Sequence, residues 1–96
     1  MTDETSDAER FLALVASAQE RDPALTSIQA AILIAAQLDI ARDSRSFARI
    51  FGVEHALALR ELNALAERGD AVKIARRDAR TLRSFYDIID SRPPAP

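Results

Sequence analysis

The sequence contains no cysteine. That excludes disulfides, thiolate nucleophiles, and zinc or iron–sulfur sites built on thiolates. Only one histidine is present, His55, so no pair of imidazoles can share a metal or form a relay. A lone histidine at a helix start is more often structural than catalytic. Glycine is limited to Gly52 and Gly69, which leaves no Gly-rich phosphate loop. The carboxylates show neither HExxH nor EF-hand spacing. No apolar run approaches the roughly 20 residues that span a bilayer. The N-terminus is acidic (Asp3, Glu4, Asp7, Glu9), with no basic region ahead of the first apolar stretch, so no signal peptide is read. These absences predict a non-enzymatic chain with no cofactor, no metal and no membrane partner, located in the cytoplasm.

What is present fits one domain. Ninety-six residues, 48% of them hydrophobic, can bury about two-thirds of the unfolded surface in a single core. The net charge of -2 hides an asymmetry. Residues 1–40 carry seven acids and two bases, whereas residues 41–85 carry ten bases and six acids. Within 73–83 stand Lys73, Arg76, Arg77, Arg80 and Arg83 against one acid, Asp78. Such a split suggests one face suited to an anion and another suited to something else. Twelve of the thirteen bases are Arg, whose planar fork binds oxyanions bidentately.

Local signals divide the chain. Ser6 and Glu9 make a capping box, and Phe11, Leu12, Val15 and Ala18 recur at helical spacing, so 7–20 reads as a helix ended by Asp22-Pro23. Thr26 and Gln29 make a second capping box, with Leu25 placed to staple it. Ala30 to Ala36 is apolar on every side, as expected of a central buried helix. Asp43 caps a short helix through Phe51, which Gly52 ends. A further helix runs from about Glu54 to Arg68 and closes at Gly69. Its inner face carries Ala58, Leu62, Leu65 and Ala66, and its outer face Ala56, Arg60, Asn63 and Glu67. Residues 71–75 and 80 to about 86 read as strands around an Arg76–Ala79 turn. The stretch 84–90 is open between strand and short helix. The expected organisation is a flexible N-terminus over 1–6, one domain over 7–90 and a Pro-rich flexible tail over 91–96.

The fold expected is mainly α with a small β-hairpin: a winged helix-turn-helix of about four helices and a two- or three-stranded wing. The chain resembles the multiple-antibiotic-resistance regulator (MarR-type) family of winged-helix transcription regulators. The resemblance runs from about Leu25 to Arg83 and rests on LTSIQAAILIAA, SFARIFGV, RELNALAERG and Asp78-Ala79-Arg80. It implies a recognition helix over 54–68 and a wing whose Arg80 reaches a minor groove. The pattern departs at Ala56 and Leu57, where the family often has small hydroxyl residues, and at Asp70, where it usually has a large apolar one. Only a few residues follow the wing, where the family has a long dimerisation helix.

The function expected is sequence-specific binding of double-stranded DNA by a transcriptional regulator. Arg60 and Asn63 are the candidate base readers, because Arg matches guanine O6/N7 and Asn matches adenine N6/N7. Arg76, Arg77 and Arg80 are the candidate wing contacts, with Lys73 and Arg45 as further phosphate contacts. Asp78 is read as an orienter of a neighbouring Arg, or else as a turn former. Ser44 and Ser46 could donate to phosphate or serve as local caps. A homodimer is expected through helix 7–20 and the central helix, since two-fold readers bind paired half-sites. The alternative is a winged-helix protein–protein interaction module without DNA binding, suggested by the net acidity, the apolar start of the helix and Glu67. No feature marks an effector sensor.

Overall fold

The computed structural model describes residues 6–89. Four helices come first: α1 (Asp7–Arg21), α2 (Ser27–Gln37), α3 (Ser44–Phe51) and α4 (His55–Arg68). An antiparallel hairpin follows, β1 (Val72–Asp78) with β2 (Arg83–Ile88). The fold is therefore mainly helical with a small hairpin, as expected. The flexible ends expected over 1–6 and 91–96 fall outside the described residues, except Ser6.

Ser6 is ordered by its role. Its hydroxyl accepts the Glu9 amide while the Glu9 carboxylate accepts the Ser6 amide, which fixes the start of α1. Thr26 and Gln29 form the same reciprocal pair at α2. Asp43 caps α3 by accepting the Ser46 amide at 2.9 Å. Gly52 (φ 69) and Gly69 (φ 78) close α3 and α4 in the left-handed region. Asp39 takes the same backbone region after α2, where a short polar side chain tolerates it.

The apolar α2 lies at the centre. Ala30, Ile32, Ile34, Ala35 and Ala36 are buried, packed among Phe47, Leu62, Leu65, Val72 and Tyr86 from the other elements. Burial on all sides is what its uniformly apolar sequence requires. The inner face of α4 buries Ala58, Leu62 and Leu65, with Ala66 half-buried.

The hairpin departs from expectation at its turn. β1 continues through Asp78, with Arg76 opposite Phe85 and Arg77 opposite Ser84, and the turn is 79–82 rather than Arg76–Ala79. A register irregularity between Ile74 and Arg76 carries the strand past the expected end. The turn closes when Leu82 donates to the Asp78 carbonyl at 2.8 Å, with Leu82 itself at φ 62. The open stretch 84–90 is strand as far as Ile88. Asp43 forms a single bridge to Phe85, and Tyr86 donates to the Arg42 carbonyl at 3.1 Å. The residues just before α3 thus run beside β2 on the side away from β1.

Candidate nucleic-acid interface

The hairpin is attached to both α3 and α4. On the α4 side, Arg77 Nη2 donates to Asn63 Oδ1 at 3.1 Å and Arg77 Nη1 to Ser84 Oγ at 3.2 Å. On the α3 side, Arg45 Nε donates to the Thr81 carbonyl in the turn at 3.1 Å. These three contacts set the hairpin against the two helices that precede it. Between α4 and the hairpin lies a cleft of about 290 Å³, lined by Leu59, Asn63, Arg77, Asp78, Leu82 and Ser84.

The seven residues expected to contact DNA are thereby dispersed into distinct roles. Arg60 is exposed on α4, one turn before Asn63. Asn63 is half-buried, with its carboxamide oxygen taken up by Arg77. Arg76 is exposed and lies over the Phe85 ring, 4.2 Å from guanidinium carbon to centroid, so its plane is held by a cation–π contact. Arg80 is exposed in the turn. Lys73 lies opposite Asp87 at the base of the hairpin, about 20 Å of strand from the turn.

The cluster counted over 73–83 is therefore not one patch. Lys73 is at the far end, and Arg83, which with Arg76 approaches the Phe85 ring, is taken up by Asp43. Arg83 Nε sits 3.2 Å from Asp43 Oδ2 as an ion pair, without the alignment of a hydrogen bond. Asp78 is the turn former of its two readings: its Oδ1 accepts the Arg80 backbone amide at 2.9 Å, and among the described residues it pairs with no guanidinium.

Ser44 is structural. Ser46 supports the α3 cap through its amide. Ser44 is buried, and its Oγ accepts the Ser84 amide at 3.0 Å while lying 2.8 Å from His55 Nε2. The hydroxyl keeps its proton and a second lone pair, so it donates to His55 Nε2 or accepts from it according to the imidazole tautomer. The His55 pKa is lowered, first by burial and then by Arg45, with Asp43 opposing and Arg83 assisting. A serine–histidine contact of this kind invites a nucleophile reading. Burial of Ser44 and commitment of its oxygen to Ser84 remove it. Its role is to tie the first turns of α3 and α4 to β2.

Sequence reasoning missed Phe85, Ser84 and Thr81 as partners of the arginines. It also left Asp70 unexplained. Asp70 and Asp22 both bind Arg68, at 3.1 and 2.6 Å, and clip the end of α4 to the α1–α2 connection. Those hydrogen bonds, from Asp70 first, hold the Arg68 pKa above its ordinary value.

On the opposite side of α3 lies an apolar groove of about 560 Å³ between α1, α2 and α3. Phe11 stacks on Phe51 at 5.0 Å within it, and Leu12, Ile40 and Ile50 are exposed along it. Among the described residues, no group of three or more His, Asp or Glu could hold a metal, and no helix is long and apolar enough to cross a membrane. Comparison with known proteins returns no matching family model, no matching curated protein and no matching solved structure.

Proposed function

We propose that this chain is a DNA-binding transcriptional regulator of the winged helix-turn-helix type, similar to the MarR family. In this reading α4 lies in a major groove and the hairpin reaches the neighbouring minor groove. The observation that carries the reading is the frame just described. Arg77–Asn63 and Arg45–Thr81 hold the hairpin against α4 and α3, and the exposed Arg60, Arg76 and Arg80 are mounted on that frame. Cations fixed relative to one another can meet several phosphates without each being ordered on binding.

The test is duplex affinity measured by fluorescence anisotropy across a salt series. Each phosphate neutralised contributes about 0.9 to the slope of log affinity against log salt. Arg76→Ala and Arg80→Ala are each expected to reduce that slope by about 0.9. A wild-type protein that binds no duplex even at low salt would end the proposal.

A second reading, a protein-interaction module without DNA binding, draws on Leu82. This residue is 62% exposed at the tip of the hairpin and stands in a backbone region that leucine avoids. Retention of a partner protein with no retention of duplex would favour it.

We further propose that the regulator is a homodimer associating through α1 and α2. The groove beside α1 exposes Leu12, Ile40 and Ile50 together, and a second copy would bring the exposed acids of α1, Asp7 and Glu9, toward the exposed Arg49 of α3. Leu12→Glu sets a charge on that apolar surface, at a cost of about 2 kcal/mol or roughly thirtyfold in dimer affinity. Sedimentation equilibrium is expected to show the variant shifted to monomer; an unshifted variant would place the interface elsewhere.

A further inference from the structure

The cleft between α4 and the hairpin carries an inference of its own, which rests on the DNA-binding reading above. Four arginines in the described residues make side-chain ion pairs or hydrogen bonds that can be compared with Arg77. Arg42, Arg68 and Arg83 each pair with aspartate. Arg45 and Arg77 instead donate to neutral oxygens, and both do so at the hairpin. Arg77 is thus held by Asn63 and Ser84 without loss of charge. Two of its five N–H donors are committed, and the residue remains exposed. Such a guanidinium keeps its full attraction for an anion and has already lost the rotamer freedom that binding would otherwise cost.

The walls of the cleft add chemistry. Leu59 and Leu82 present apolar surface on either side, and Leu82 does so from a strained, exposed position that packing does not explain. Asp78 also lines the cleft, but its Oδ1 is engaged by the Arg80 amide, and it makes no ion pair with Arg77. A helix in the major groove and a hairpin in the adjacent minor groove must have one sugar–phosphate strand between them, because that strand is what separates the two grooves. This cleft is the space between them.

We propose that the cleft is a subsite for one phosphodiester and its sugar. Arg77 binds the phosphate, and Leu59 and Leu82 flank the sugar. Asn63 is a positioning residue that fixes the Arg77 guanidinium, and it reads no base. Base reading by α4 then rests on Arg60.

The experiment uses the full chain and three measurements: duplex affinity, its salt slope, and base preference over a randomised duplex pool. Folding is checked by thermal melting. Arg77→Ala is expected to lower the slope by about 0.9. Arg77→Lys keeps the slope and loses affinity, because the charge stays and the fixed plane does not. Asn63→Ala is expected to weaken binding by about three- to tenfold, the worth of one hydrogen bond. It does so equally for all sequences and without changing the slope. Asn63→Asp neutralises Arg77 in place and lowers the slope as Arg77→Ala does. An Asn63→Ala protein with altered base preference, or an Arg77→Ala protein with the wild-type slope, overturns the inference while leaving DNA binding intact. A wild-type protein that binds no duplex overturns both, and is recognised by its silence before any variant is made.

Discussion

Phe47→Ala is expected to lower the free energy of unfolding by about 3–5 kcal/mol, the range for a large aromatic lost from a core. Phe47 is 1% exposed. It sits on α3, a helix of eight residues of which only Ser44, Phe47 and Ala48 are buried. A helix this short has no stability of its own, so its position depends on the side chains that anchor it. Phe47 also touches the Phe51 ring at 4.7 Å, and Phe51 stacks on Phe11 of α1, which makes an aromatic series from α1 to the core. Small domains have a total stability of about 5–15 kcal/mol, so the loss is a large fraction of it. Urea unfolding followed by circular dichroism measures it as a lower midpoint at an unchanged slope. Phe51→Ala, at a half-buried position, is expected to cost less. Phe47→Leu is expected to recover much of the loss, because it leaves a smaller cavity. Equal costs at 47 and 51 would show that the groove, rather than the core, anchors α3.

The helical part of this fold is written in short-range signals. Ser6 with Glu9, Thr26 with Gln29, Asp43, Gly52 and Gly69 each act within one turn of the boundary they set, so the boundaries were readable to within about a residue. The central place of α2 followed from its lack of any polar side. The hairpin was less legible because residues 76–82 contain no Gly, Pro or Asn, and the left-handed position falls to Leu82, which no propensity selects. The candidate site was legible as a list of residues and not as an arrangement. Arg77 and Asn63 are 14 apart in sequence, and Ser44 and Ser84 are 40 apart. Nothing local distinguishes an arginine that faces solvent from one that holds a hairpin in place. Counting charge along the chain grouped Lys73 and Arg83 with the turn. Strand length separates the first from it, and a partner before α3 separates the second.

That partner, Asp43, carries the other large expected effect: Asp43→Ala should cost about 2–3 kcal/mol. One part is the cap of α3, worth about 1 kcal/mol. The other is the ion pair with Arg83, whose buried Nε has no hydrogen-bond partner among the described residues and would lose the carboxylate beside it. Breaking a fully buried pair costs about 3–5 kcal/mol, and the one-third exposure of the Arg83 side chain reduces that figure here. Asp43→Asn keeps a capping oxygen and removes the charge, so the difference between the two variants isolates the cap. The pH dependence gives an independent check. Burial raises the Asp43 pKa, but hydrogen bonds from Ser46, the charge of Arg83 and the Arg45 amide outweigh it, and the net direction is down. The folded carboxyl therefore titrates below the unfolded value of about 3.9, and the unfolded chain takes up the proton first as acid is added. The contribution is complete above that unfolded value and is lost as pH falls through the folded one. In a His55→Asn background, which removes the imidazole whose pKa Asp43 raises, the protein with Asp43 should lose more stability than Asp43→Asn between pH 6 and pH 2.5. The same substitution bears on how the hairpin is held. Tyr86 donates its amide to the Arg42 carbonyl next to Asp43, and Phe85 bridges to Asp43 itself. Faster hydrogen exchange at the Tyr86 amide in Asp43→Ala is expected if the ion pair secures that edge. Unchanged protection there would mean that Arg45, Arg77 and the buried Tyr86 ring are sufficient to fix the hairpin without it.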